Sequence, residues 1–452
     1  MRTLTIAVLA ALIAALASDL SAQRRGRFQR TRRPEAPAPE PEKKEEPPAG
    51  KPKTHKAVVG GDVYLGTGQR MTDATILIGD DKILAVGTDL ELPDGTEVID
   101  ARGKVVCPGF VAVQASGMGA GRSGPFIDSV NPFDPEIKQG LAAGITSFLA
   151  GNPGGGNSPS GDNAVIKLAY GDVEGMVAME DSVVGLSLPL GIADFAKLKE
   201  SVEKAREHLK AMEEFRARKP DPKAKPPEPP QGSENLLKVL EGKARLWVSL
   251  GGGFRYRGGG GRADDVATIR QALEVARLIG QGVVLQRPIS AWLLADEIGA
   301  TESMVILSPR DRVDPDPADP EHSGSNIASA AILAKAGVPV AVTTPAGGFG
   351  GGNGVGTGGI LGQDLNTPQI DAAFAVRGGM DDRQALRTIT LDAARMIGAD
   401  SRLGSIEPGK DADILILDGD PLHYRTFVQT ALVNGKVVYQ KDKEPFYSHI
   451  HR

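Results

Sequence analysis

The amino-acid sequence predicts an α/β protein: a parallel α/β barrel beside a β-domain to which both chain ends contribute. Three observations carry that prediction. Through roughly 250 central residues, strand-like runs alternate with helical stretches, as in a parallel sheet with helical crossovers. Before this region lie short segments of alternating apolar and polar residues separated by turn pairs. After it the chain returns to strand-like patterning.

Each element follows in order. "AVVGGDVYLGTG", "ATILIGDDKILAVG" and "TEVIDARGKVVCPGF" read as hairpin strands broken at Gly-Asp, Asp-Asp and Asp-Gly. The central strands are "GITSFLAG", "SVVGLSL", "ARLWVSL", "GVVLQRP", "SMVILSP" and "GVPVAVTT", with helices in "DVATIRQALEVARLIG" and "NIASAAILAKAG". "FAKLKESVEKAREHLKAMEEFRARK" has the pattern of a long amphipathic helix, and the proline-rich "PDPKAKPPEPPQ" after it reads as a surface excursion. "DADILILDGD" and "VQTALVNGKVVYQ" close the chain as strands. The expected spans are 57–107 and 396–440 for the β-domain, 108–395 for the barrel and 441–452 for a tail.

At 452 residues, 40% apolar and 24% charged, the chain can bury a substantial core. A net charge of −5 gives no case for nucleic acid as a general partner. The single cysteine excludes an internal disulfide. "MRTLTIAVLAALIAALASDLSAQRR" has the layout of a secretory signal peptide over 1–22, with cleavage after Ala22 or Ala17. Its apolar run is shorter than the roughly 20 residues that span a bilayer, so an exported protein (periplasmic or secreted) with no stable membrane span is expected. Residues 23–56, rich in Arg, Pro, Glu and Lys, read as a disordered tether.

Two stretches place the chain in a family. "GDVYLGTGQRMTDATILIGDDKILAVG" with "VIDARGKVVCPGF" near the start, and "ALRTITLDAARMIGADSRLGSIEPGKDADILILDGDPL" near the end, resemble the amidohydrolase superfamily, in its imidazolonepropionase-like and secreted branch. The resemblance covers about residues 57 to 440 and implies a distorted TIM (β/α)8-type barrel with a composite β-sandwich. It also implies one or two divalent metals at the C-terminal mouth of the barrel, lowering the pKa of bound water for attack on a carbonyl.

Here the resemblance breaks. The first His-x-His should follow "PGF", and Gln114 and Ser116 stand there, with Ala112 in place of the preceding acid. Leu190, Ser249 and Arg287 occupy the next ligand positions. The final aspartate position, after "VPVAVTT", falls at Pro345, beside Thr344. The six histidines (55, 208, 322, 423, 449 and 451) lie away from these places, and only His322 is plausible near a barrel mouth.

No replacement nucleophile and base emerge: Ser116 and Ser249 lack a histidine, and Lys167 reads as an ordinary lysine at a strand end. Two glycine-rich stretches, "GGGFRYRGGGGRADD" and "PAGGFGGGNGVGTGG", carry Phe254, Tyr256 and Phe349 as pocket candidates, with Arg255, Arg257 and Arg287 for an anion. The ligand-binding candidates are therefore Gln114, Ser116, Ser249, Arg287 and Thr344, with no catalytic residue, metal or cofactor expected. Three functions stay open: a non-catalytic protein that binds a small molecule or partners a metal-bearing paralogue or a second copy, a C–N hydrolase that works without metal, and a structural module.

Overall fold

The structure, a computed structural model, describes residues 54–217, 225–250, 265–344, 354–357 and 365–445. The leader, most of the tether, nearly all of both glycine-rich stretches and most of the tail fall outside these residues.

One sheet takes strands from both chain ends. Its N-terminal members are β1 (His55–Tyr64), β2 (Arg70–Gly79), β3 (Lys82–Gly87), β4 (Glu97–Asp100) and β5 (Val105–Pro108). β1 starts inside the segment read as tether, because His55 and Lys56 pair with Gly79 and Ile78. The chain then crosses the middle through β6 (Phe110–Ala112), β7 (Ala115–Ser116), β8 (Ile145–Asn152), β9 (Asp162–Lys167), β10 (Val177–Glu180), β11 (Val183–Leu188), β12 (Arg245–Leu250), β13 (Val284–Gln286), β14 (Met304–Leu307), β15 (Val340–Val342) and β16 (Val355–Gly356). It returns through β17 (Ile414–Leu417), β18 (Val428–Val433) and β19 (Lys436–Gln440) to complete the order β19-β18-β17-β5-β1-β2-β3, with β4 also on β1.

β1 serves two parallel neighbours because it is irregular at Gly60–Gly61, pairing β4 before the break and β5 after it. Gly60 has φ +77°, where a side chain is strained, and a Cβ on Gly61 would come within 2.6 Å of Val106. Alternation along β2 sends Ala74, Ile76 and Ile78 to a core shared with Val58, Val106, Ile414, Ile416 and Leu432. These all come from one sheet, so it folds over its own core. Its other face, with Leu415, Leu417 and Ala431, packs on the helix Pro135–Ala142 and on Phe148 of β8. The glycine of "PGF" makes this junction close: a Cβ on Gly109 would lie 1.9 Å from Thr146 Oγ1.

The middle of the chain is α/β. β11 to β15 form a parallel five-stranded sheet, β6 runs parallel to β8, and β16 runs parallel to β7. Among the described residues these strands pair as separate sheets and not as one closed barrel. They nevertheless share an interior. Val111, Leu149, Val165, Val183, Trp247, Val284, Ile306 and Ala341, one from each of eight strands, meet in one cluster. The alternate residues of β11 to β15 (Leu186, Val248, Leu285, Val305, Val340) pack outward on helices such as Asp265–Ile279 and Ser329–Lys335. The long helix Ile192–Ala217 buries only Leu198, Val202 and Ala205, a narrow stripe at helical spacing. No helix among the described residues is long and apolar enough to cross a membrane.

Candidate functional site

Ligands of parallel α/β sheets bind at the carboxyl ends of the strands. There the inward face changes character. Continuing the alternation places Ser187 on the face of Val183, Ser249 on that of Trp247, Gln286 on that of Val284, Ser308 on that of Ile306 and Thr343 on that of Ala341. An apolar layer is thus capped by one of hydroxyls and an amide. Register joins them: Ser187 lies opposite Ser249, and Ser249 opposite Gln286. Ser187 Oγ accepts a hydrogen bond from Gly156 N at 2.9 Å. Ser308 Oγ is buried with no hydrogen-bond partner among the described residues.

Arg287 follows Gln286 with φ +54°, a left-handed conformation costly for a side-chain-bearing residue. Its own N–H donates to Ile306 O at 2.7 Å. Its guanidinium donates to Thr344 O at 2.9 Å and to Asp311 Oδ2 at 3.4 Å, with the Asp311 side chain 5% exposed. Next to this pair Arg310 Nε donates to Asp371 Oδ1 at 2.5 Å. Burial of Asp371, on the helix Thr367–Arg377, pushes its carboxyl up to about 6, against the opposing pull of Arg310. Two arginines and two carboxylates therefore face one another here, and their charges cancel.

Of the residues predicted from sequence, Arg287 and Thr344 are in direct contact, and Ser249 is in register with the neighbour of Arg287. Gln114 and Ser116 lie instead along Val355–Gly356: Gln114 O accepts from Val355 N at 2.9 Å, and Ser116 is opposite Gly356. Arg287 is committed to Asp311 and Thr344, so it is less available to an anion than its sequence position suggested. Ser187, Gln286, Ser308 and Thr343 were not singled out. Their signal is the two-residue period, since each follows an inward apolar residue at an even spacing. His322 is exposed and bonded to Asp319 at 2.9 Å, a contact that raises its pKa. Lys167 is no ordinary strand-end lysine: it is buried against Asp411 at 2.7 Å and Asp413 at 2.9 Å. Cys107 is buried, which pushes its thiol pKa up.

Comparison with known proteins decides the family. Residues 264–444 match the model of the Amidohydrolase family. The chain belongs to the amidohydrolase superfamily. Over 399 residues it is 28% identical to the imidazolonepropionase of Symbiobacterium thermophilum, covering 79% of this chain and 88% of that protein. An amidohydrolase from Thermotoga maritima MSB8 resembles this superfamily member in fold, with a TM-score of 0.61 at 22% identity, over 85% of this chain and 100% of the other.

The metal implied by the superfamily can be tested against the residues present. Catalytic zinc takes three imidazole, carboxylate or thiolate ligands plus water. In this amidohydrolase-superfamily chain the positions at which the resemblance implies its ligands carry Gln114, Ser116, Leu190, Ser249, Arg287 and Pro345, none of them an imidazole, carboxylate or thiolate. Among the described residues no three His, Cys, Asp or Glu side chains are grouped to hold a metal ion. A fixed guanidinium at this face also disfavours a divalent cation. The described residues do not fit the metal.

Proposed function

We propose that this chain is an exported, non-catalytic member of its superfamily, which binds a small molecule at the strand carboxyl ends or serves there as a partner subunit. The central strands are read as a distorted (β/α)8 barrel, a reading supported by the inner cluster to which eight of them contribute. The observation that carries the functional reading is the polar layer itself. Ser187, Ser249, Gln286, Ser308 and Thr343 line the strand carboxyl ends with hydroxyls and an amide, none of them an imidazole, carboxylate or thiolate that could hold a metal for hydrolysis of a C–N bond. Hydroxyls and an amide both donate and accept, and none ionises near neutral pH. With Arg287 neutralised by Asp311, such a layer favours a neutral hydrogen-bonding ligand over an anion.

The test is elemental analysis of the purified protein, paired with amide and cyclic-amide hydrolysis assays run with and without chelator. Substoichiometric metal and no chelator-sensitive turnover are expected. One tightly bound zinc per chain, or chelator-sensitive hydrolysis at enzymatic rates, overturns the reading.

A further inference from the structure

We propose a second binding site, remote from the polar layer in its chemistry, for a two-ring aromatic carboxylate. It lies between the helix Thr367–Arg377 and the loop 420–428, around a cavity of about 420 Å³. That volume falls within the roughly 300–1,000 Å³ of small-molecule sites. Ile370, Phe374 and Phe427 supply apolar wall, while Arg377, His423 and Tyr424 supply the polar and aromatic remainder.

Three features select the ligand. The His423 and Tyr424 rings stack with centroids 5.0 Å apart and planes 21° apart, yet Tyr424 is 84% exposed. A large ring held in this way and left open to water is a platform for another flat ring. The charge is one-sided, because Arg377 lines the cavity and, among the described residues, no aspartate or glutamate does. Asp420, the acid at the start of the loop, turns back to accept from Leu422 N at 2.8 Å. Finally, the walls are braced. The Gln369 amide donates to Pro421 O at 3.3 Å, tying helix to loop, and the Arg310 guanidinium lies 5.9 Å from the Phe374 ring centroid. The apolar wall takes rings and the guanidinium takes a carboxylate, by charge-assisted hydrogen bonds.

Isothermal titration of the full chain with 2-naphthoate, neutral 2-naphthamide and cationic 2-naphthylmethylamine tests the site. Naphthoate should bind best and the amine worst. Arg377→Gln should weaken naphthoate about tenfold, the scale of one charge-assisted hydrogen bond, and leave the amide unchanged. Tyr424→Ala should weaken both ligands. Both side chains are exposed, so these variants keep the fold. Absence of saturable naphthoate binding, equal affinity for the three probes, or insensitivity to both substitutions overturns the proposal. So does a dimer that Tyr424→Ala dissociates in sedimentation, which would give the groove to a second copy. None of these results bears on the polar layer or its metal content.

Discussion

Two charge clusters in this protein each hold a buried aspartate against basic side chains, and the two aspartates shift in opposite directions. At the junction between the terminal sheet and the middle of the chain, Asp411 receives Lys82, Lys167 at 2.7 Å and Arg402 at 2.8 Å. Burial pushes its carboxyl up, but Lys167 and the hydrogen bonds from Lys167, Lys82 and Arg402 outweigh it and hold the pKa at about 2. At the strand carboxyl ends Asp371 is just as buried but is held chiefly by Arg310, and burial wins. Three cations on Asp411 outweigh its burial, whereas the one arginine bonded to Asp371 does not. The first cluster is therefore a permanent fastening between distant parts of the chain. The second keeps a carboxyl that titrates in the mildly acidic range beside the polar layer.

The largest effect should come from breaking the fastening. Asp411→Ala leaves Lys167 buried with Asp413 as its one carboxylate partner among the described residues, and removing one member of a buried ion pair costs about 3–5 kcal/mol. Chemical denaturation should show a loss of that size, or a failure to fold. A loss below about 1 kcal/mol would mean that the cluster fastens nothing.

Asp371 sharpens the contrast through pH. Its folded pKa of about 6 lies above the ordinary carboxylate value, so the folded state holds the proton more tightly than the unfolded one. Its contribution is fully present below the unfolded pKa of about 4 and is lost as pH rises through about 6, amounting to about 3 kcal/mol. The stability of wild type minus that of Asp371→Asn should fall over this window and stay level above it. A difference that rises with pH would reverse the assignment.

The smallest effect concerns the backbone at Arg287. Arg287→Ala and Arg287→Gly both remove the guanidinium, but glycine relieves the cost of φ +54°. The glycine variant should be the more stable by about 1 kcal/mol in denaturant titrations. Equal stability would show that the residue is not held left-handed in solution.

Local pattern explains what could be read from sequence. "ATILIGDDKILAVG" alternates and turns at Asp-Asp, and β2 and β3 are the resulting hairpin, with Gly79 opposite Lys82. The central strands were legible for the same reason, as runs of β-branched and apolar residues between turn signals. Pairing across long separations was not. Nothing beside Lys167 announces Asp411 and Asp413, although two aspartates spaced by two at the edge of the buried "ILIL" run were a usable hint. Asp371 was hidden similarly, as one acid on the buried face of a helix that also buries Ala372 and Ala375. At the site, the missing ligand positions were visible from the resemblance, whereas the polar layer needed knowledge of which strand face turns inward. Closure of the barrel that the alternation suggests depends on pairings between distant strands, and among the described residues the middle strands pair as separate sheets.

The pairing of β5 with β17, with Val106 opposite Ile416, bears on how the molecule comes into being. On the ribosome, or emerging from a translocation channel, the first five strands appear long before their partner does. Until residues 414–417 arrive, β5 has an open edge, and such edges invite pairing with other chains. Closing so long a loop adds little equilibrium cost, since that cost grows only with the logarithm of its length, but it makes folding slow. Chains truncated before Ile414 should therefore aggregate rather than accumulate as a folded fragment, and the last strands synthesised set the moment at which the protein becomes safe from its neighbours.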